Sequence, residues 1–106
     1  MVYDVHVTDK ALRDIDNIYL YVTFDLNAPL TATKLFNYLW EKMHLLDELP
    51  ERYPLYEGEP WRSRGMRVLP TGNFLIFYIP YLEKQRVDIM RVIYGKRNIP
   101  NQLKQI

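Results

Sequence analysis

The spacing of apolar residues changes twice along the chain, and this change limits the folds that the chain can adopt. Apolar and polar residues alternate over residues 2–7, apolar residues recur every three or four positions over residues 8–49, and alternation returns over residues 66–94. Alternation is typical of a half-buried strand, and the longer spacing is typical of an amphipathic helix. The chain therefore predicts an α+β fold of order β-α-α-β-β-β, with a helical hairpin packed on a small, mainly antiparallel sheet.

The helical stretch divides into two helices at a turn over residues 25–29. Thr8 is suited to cap the first helix, which is predicted to end near Phe24 and to carry Asp14 on its polar side. The second helix is predicted to end before Pro50, because the residue that precedes a proline resists the helical conformation. A turn this short predicts that the two helices pack antiparallel.

Residues 50–63 contain three prolines and a glycine, so we predict a connecting loop without regular structure. Tyr53, Tyr56 and Trp61 lie in this loop. Large aromatic side chains in a loop bury much apolar area when they contact the body of a protein. We therefore interpret these three residues as anchors of the loop.

Three strands are predicted after the loop. Turn residues at 70–73 separate the first two, and the second, 74–81, is apolar on both sides, which indicates a central strand covered on both faces. The third strand, 87–94, is rich in β-branched residues. Beyond it, Leu103 and Ile106 are predicted to form one helical turn.

The composition excludes several kinds of site. With 106 residues, the chain predicts a single domain, residues 1–106. It has no cysteine, which fits a reducing cytoplasm, and we find neither a signal peptide nor a membrane span. His6 and His44 lack the spacing of metal ligands, and the four glycines form no phosphate-binding loop. No metal and no cofactor are predicted.

The charges are unevenly distributed along the chain. Residues 1–60 contain five Lys and Arg against eleven Asp and Glu, whereas residues 61–106 contain nine against two. If the second half forms one surface, that surface is positive and suits phosphate or an acidic protein. The alternative is that the two halves neutralise each other through ion pairs.

Most of the basic residues in the second half are predicted on or near strands, together with one tyrosine, Tyr94. Guanidinium forks near a tyrosine ring can bind a phosphodiester, and they can stabilise the transition state of metal-free RNA cleavage. The alternative is that these cations solvate a sheet edge or pair with carboxylates. The candidate target-binding or phosphate-binding residues are Arg62, Arg64, Arg67, Arg91, Lys96 and Arg97.

Three segments resemble the RelE/ParE superfamily of toxins from bacterial type II toxin-antitoxin systems. Residues 3–15 (YDVHVTDKALRDI) are similar to its first strand and helix, and residues 65–78 (GMRVLPTGNFLIFY) to its central hairpin. Residues 87–98 (VDIMRVIYGKRN) are similar to its last strand and Gly-x-Arg ending. The resemblance implies a toxin that arrests growth and is neutralised by a cognate antitoxin.

The resemblance implies one of two targets. In a RelE-like endoribonuclease that cuts ribosome-bound mRNA, Arg67, Arg97 and Tyr94 would be the catalytic residues. Leu75, however, stands where that branch has an arginine, and Leu103 or a near neighbour stands where it has a tyrosine. The segments around residues 70–78 and 91–99 are closer to the ParE branch, whose members inhibit DNA gyrase by protein contact, and the resemblance slightly favours this branch.

A third hypothesis is an inactive module that only binds the antitoxin. In all three cases we expect an antitoxin segment to dock across the helical hairpin or the sheet, either as a helix in a groove or as an added strand.

Overall fold

The computed structural model describes residues 2–104 as helices packed on a four-stranded sheet. None of the helices in this range is both long and apolar enough to cross a membrane. Leu103 lies in the last helix, whereas Ile106, predicted in the same helical turn, lies outside the described residues. The elements in chain order are β1 (Asp4–Val7), α1 (Asp9–Leu20), α2 (Pro29–His44), β2 (Arg67–Thr71), β3 (Phe74–Tyr81), β4 (Arg86–Tyr94) and α3 (Ile99–Leu103).

The strands are ordered β1-β4-β3-β2 across the sheet. The pairs β2–β3 and β3–β4 are antiparallel, and β1 lies parallel to β4. The predicted α+β fold with a mainly antiparallel sheet is therefore confirmed. The helical hairpin separates β1 from the other strands in sequence, which allows β1 to lie beside the last strand. β3 lies between β2 and β4.

Both faces of β3 are buried, as predicted for a central strand. Ile76 and Tyr78 pack with the helical hairpin, whereas Phe77 and Ile79 pack on the opposite face with Leu103. The predicted loop anchors are confirmed, because Tyr56 and Trp61 pack on that opposite face and Tyr53 packs on the helical side. Residues buried on the helical side include Ala11, Ile15, Leu39, Met43, Leu46, Val87 and Ile89.

The helical hairpin differs from its prediction at the end of each helix. The second helix was expected to continue to Leu49, but α2 ends at His44 and a 3₁₀ turn, Leu45–Asp47, follows. The first helix was expected to continue to Phe24, but α1 ends at Leu20 and a π-helical turn, Tyr21–Asp25, follows. The Leu26 N–H donates to the Tyr21 carbonyl five residues earlier, which is the π pattern. This turn leaves Phe24 72% exposed at the end of the hairpin.

The turn between β2 and β3 is shorter than expected, because β2 continues through Pro70 to Thr71. A proline is tolerated there because β2 is an edge strand, where one side of the backbone needs no partner strand. The two-residue turn consists of Gly72 and Asn73. Only Gly72 of this pair has a positive φ, at 60°, which is the pattern of a type II′ turn.

A Gly72→Ala variant is expected to lose about 1–2 kcal/mol of unfolding free energy, because an L-residue with positive φ is strained. A Cβ here would lie 3.7 Å from a ring carbon of Tyr38, an ordinary contact, so the backbone causes the loss. Urea unfolding measures the loss. A Gly72→Asn variant should lose less, because asparagine tolerates a positive φ better, and equal losses would contradict this explanation.

Candidate functional site

The outer edge of β4 is open over its second half. β1 pairs with β4 only from Arg86 to Ile89. Thr8 then ends the pairing, because its N–H donates to the Ile89 carbonyl over 3.1 Å and its hydroxyl donates to the same oxygen over 2.7 Å. Helix α1 begins at the next residue, so residues 90–94 of β4 have no strand beside them on this edge within the described chain.

This open edge forms the floor of a groove of about 820 Å³ between the helical hairpin and the end of β4. One part of its wall is apolar or aromatic and is made by Ile18, Tyr21, Val22, Leu26, Leu35 and Phe74. The remainder is polar and includes four cations, and it is made by Lys10, Arg13, Asp14, Asn17, Asn73, Arg91, Tyr94, Arg97 and Gln102. The groove therefore offers apolar contact area together with several positive charges.

Backbone groups of β4 point into the groove. The Val92 N–H donates to an oxygen of Asp14 over 3.0 Å, so Val92 presents its polar backbone groups away from β3. In a strand, the N–H and C=O of one residue point to the same edge, and so do the N–H and C=O of the residue two positions later. The Val92 carbonyl and the Tyr94 N–H therefore face the groove as an acceptor and a donor.

Of the predicted site residues, Tyr94 and Arg97 lie together at this groove. The Tyr94 ring, 36% exposed, packs edge-on against Phe74 with the ring centroids 5.7 Å apart. Arg97 is exposed, and its backbone N–H donates to the Tyr94 carbonyl over 3.0 Å. Lys96 is exposed in the same turn, but it is not part of the groove wall.

Arg91 lies beneath the groove and is 4% exposed. Its Nε and Nη2 donate to the two carboxylate oxygens of Asp14 over 2.6 and 2.9 Å. Its Nη1 donates to the Gln102 carbonyl in α3 over 2.6 Å. All three guanidinium nitrogens thus have partners within the protein.

Asp14, predicted on the polar side of the first helix, was not among the predicted site residues, yet it lines the groove and pairs with Arg91. Its side chain is 13% exposed. The available signal is its spacing, because Asp14 lies three residues after Ala11 and four before Ile18, so it borders the apolar stripe of the helix.

Arg64 and Arg67 lie elsewhere. Arg67, at the start of β2, donates to the Tyr53 carbonyl over 2.6 Å and lies 3.6 Å from a carboxylate oxygen of Glu51. The Arg64 guanidinium packs over the Trp61 ring, 4.9 Å from its centroid. Since β3 separates β2 from β4, the structure does not bring Arg67 together with Arg91, Tyr94 or Arg97.

The uneven charges are partly neutralised in the fold. Three cations of the basic half pair with carboxylates of the acidic half, in the pairs Arg62–Glu57, Arg67–Glu51 and Arg91–Asp14. Lys10, Arg13 and Arg97 make no carboxylate ion pair within residues 2–104. All three line the groove, so the groove wall carries positive charge that has no carboxylate ion pair in the described part of the chain.

Neither histidine lies in the groove. His6 is exposed on β1, and His44 is exposed at the end of α2, where its Nδ1 lies 2.8 Å from the Trp40 carbonyl. The described part of the chain contains no group of three or more His, Cys, Asp or Glu side chains that could hold a metal ion.

Comparison with solved structures shows the same fold in three proteins. The chromosomal ParDE toxin-antitoxin system from P. aeruginosa has a chain with 22% identity and a TM-score of 0.70, over 90% of this chain and 98% of that one. A chain of the toxin-antitoxin complex RelBE2 from Mycobacterium tuberculosis has 23% identity and a TM-score of 0.65, over 89% and 92%. A mutant of the E. coli toxin RelE in the free state has 16% identity and a TM-score of 0.66, over 100% and 99%.

Sequence comparison identifies the family. No curated protein sequence matches the chain. The sequence model of the family described as the ParE toxin of the type II toxin-antitoxin system parDE matches residues 5–99, which include both sides of the groove. The chain therefore belongs to the ParE toxin family of type II toxin-antitoxin systems, within the RelE/ParE superfamily.

Proposed function

We propose that this toxin inhibits DNA gyrase by direct protein contact in the cytoplasm, and that a cognate antitoxin neutralises it by occupying the groove. The observation that carries the proposal is the separation of the basic residues. Arg67 is held at one edge of the sheet by Glu51, Arg91 is held beneath the other edge by Asp14, and only Arg97 of the predicted catalytic arginines stands in the groove.

This separation favours protein contact over RNA cleavage. Metal-free RNA cleavage requires one group that deprotonates the 2′-hydroxyl, another that protonates the leaving oxygen, and cations around the phosphate. In the groove, Tyr94 and Arg97 are near each other, but Arg67 is not, and no histidine lines the wall. The cations Lys10, Arg13 and Arg97 form a cationic rim around the apolar and aromatic side chains of the groove. Such a groove resembles a protein-binding surface more than a phosphate site.

The open edge of β4 supports an antitoxin that binds as an added strand. An extended segment of the antitoxin would accept a hydrogen bond from the Tyr94 N–H and donate one to the Val92 carbonyl, as in β-augmentation. Its alternate side chains would contact the apolar wall, and an acidic side chain would reach Arg13 or Arg97 on the rim. The solved relatives named above include toxin-antitoxin complexes, which also supports an antitoxin partner.

Gyrase inhibition can be tested with purified components. We expect the wild-type protein to inhibit ATP-dependent supercoiling of relaxed plasmid by DNA gyrase. An Arg97→Glu variant should need at least a tenfold higher concentration, because it reverses the charge on the rim of the groove. Lys84→Glu is the matched control, since Lys84 lies in a turn away from the groove.

Brief induction in growing bacteria separates the three hypotheses. The proposal expects thymidine incorporation to fall before amino-acid incorporation, and co-expression of the cognate antitoxin to prevent the fall. Amino-acid incorporation falling first, together with cleavage of ribosome-bound mRNA, would instead support the RelE-like function. If neither falls, the chain is an antitoxin-binding module without toxicity.

A further inference from the structure

We propose that Asp14 and Arg91 are positioning residues that set the shape of the groove without contacting the target themselves. The proposal rests on the proposed function, in that the groove is the surface used against gyrase. The two residues link three elements that form the groove, namely α1, β4 and α3, and we call this linkage the Asp14–Arg91 clamp.

The guanidinium of Arg91 supplies one half of the clamp. It grips the carboxylate of Asp14 with two parallel hydrogen bonds, a geometry that fixes orientation as well as distance. Its third nitrogen donates in another direction, to the Gln102 carbonyl. One rigid planar group therefore holds α1 and α3 at a set separation on either side of β4.

The carboxylate of Asp14 supplies the other half. The oxygen that accepts from Arg91 Nε also accepts from the Val92 N–H. This bond attaches α1 to the backbone of β4 just beyond the end of β1, where no strand does so. Asp14 thereby determines which backbone groups of the open edge can bind a partner strand. It accepts from the Val92 N–H and leaves the Val92 carbonyl and the Tyr94 N–H for such a strand.

The clamp acts on the cationic rim through the turn that carries Arg97. This turn lies between the end of β4 and α3. At its first end, the Gly95 N–H donates to the Asn73 carbonyl over 2.8 Å. At its second end, α3 is held by the buried Leu103 and by the bond from Arg91 to Gln102. The rim cations on α1 and on this turn are therefore spaced by the clamp.

The geometry assigns Arg91 to positioning, rather than to the direct target binding expected from the sequence, because its donors are used internally. A lysine in its place would keep the positive charge. Its single nitrogen has no planar fork and cannot reproduce two parallel bonds to Asp14 together with the third bond to Gln102. Arg91→Lys therefore separates the effect of the charge from that of the fork.

The test compares Arg91→Lys with Arg86→Lys as the matched control. Arg86 lies on the same strand and pairs with Asp88 over 2.9 Å, but it does not line the groove. Two quantities are measured: the protein concentration that halves gyrase supercoiling, and the hydrogen-exchange rates of the Gln102 and Lys104 amides in and after α3. We expect Arg91→Lys to raise each at least tenfold, and Arg86→Lys to change neither more than twofold.

A second variant, Asp14→Asn, decides the matter if Arg91→Lys does not fold. Asparagine keeps an acceptor for the Val92 N–H but loses the charge, and we expect the same two changes at smaller size. If a folded variant keeps the wild-type value in either measurement, the clamp is not a positioning device. This includes the case in which the exchange rates increase but the concentration that halves supercoiling does not change. If the wild-type protein fails to inhibit gyrase, the proposed function is wrong, and the exchange rates still show whether the clamp holds α3.

Discussion

An Asp14→Ala variant is expected to lose about 3–5 kcal/mol of unfolding free energy, because removing one partner of a buried ion pair leaves the other charge without compensation. Arg91 would remain buried, at 4% exposure, with only the Gln102 carbonyl as its partner. The Val92 N–H would also lose its acceptor. Urea unfolding, followed by far-UV circular dichroism, measures the loss.

The double variant Asp14→Ala/Arg91→Met is the control for this prediction. Removing both charges also removes the desolvation cost of the unpaired guanidinium, so the double variant should be more stable than Asp14→Ala alone. If Asp14→Ala loses less than about 1 kcal/mol of unfolding free energy, water or another side chain must compensate the charge of Arg91. That result would contradict the prediction from its burial.

Sequence patterns predicted the elements of this fold well, because local chemistry determines most of them. The Thr8 cap is confirmed, since its hydroxyl accepts from the Ala11 N–H over 3.3 Å. The two-sided burial of β3 is confirmed as well. These features depend on residues a few positions apart, so the period of apolar residues and the capping chemistry suffice to find them.

The order of the strands could not be predicted in the same way. Nothing in the first seven residues indicates that β1 pairs in parallel with the last strand. This single pairing determines where the sheet has an open edge, and therefore where the groove lies. The pairs β2–β3 and β3–β4 place β3 between Arg67 and Arg91, which are both in the basic half of the chain.

The arrangement of the candidate site could therefore not be predicted from the sequence. Tyr94 and Arg97 were proposed because Tyr94 ends the last predicted strand and Arg97 lies in the Gly-x-Arg segment just after it, and both line the groove. The contact of Arg91 with Asp14, 77 residues away in sequence, depends on the path of α1 across the open edge. The partial neutralisation of the two halves follows from such pairs.

Tyr78 gives the protein a specific sensitivity to alkaline pH. Its side chain is completely buried, and its hydroxyl donates to the Pro50 carbonyl over 2.7 Å. Burial raises the pKa of Tyr78 well above its ordinary value of 10.0, because the phenolate would be poorly solvated there. The folded protein therefore keeps this proton at pH values where the unfolded chain has already released it.

The sign of the effect follows from proton linkage. Below pH 10, Tyr78 is protonated in both the folded and the unfolded state, and its contribution to stability is complete. Above pH 10 the unfolded state binds fewer protons than the folded state, so stability falls as pH rises. The fall continues until the pH reaches the pKa of Tyr78 in the folded state. One pH unit corresponds to about 1.4 kcal/mol, so we expect a loss of about 2–3 kcal/mol between pH 10 and pH 12.

Urea unfolding of wild-type and Tyr78→Phe protein across this pH range tests the prediction. The variant should be less stable than wild type at pH 8 by about 1 kcal/mol, because it lacks the bond to Pro50. It should also lose less stability between pH 10 and pH 12. Tyr94→Phe is the control, since it removes a partly exposed hydroxyl and should keep the wild-type dependence on pH. An equal alkaline loss in wild type and Tyr78→Phe would mean that other groups cause it.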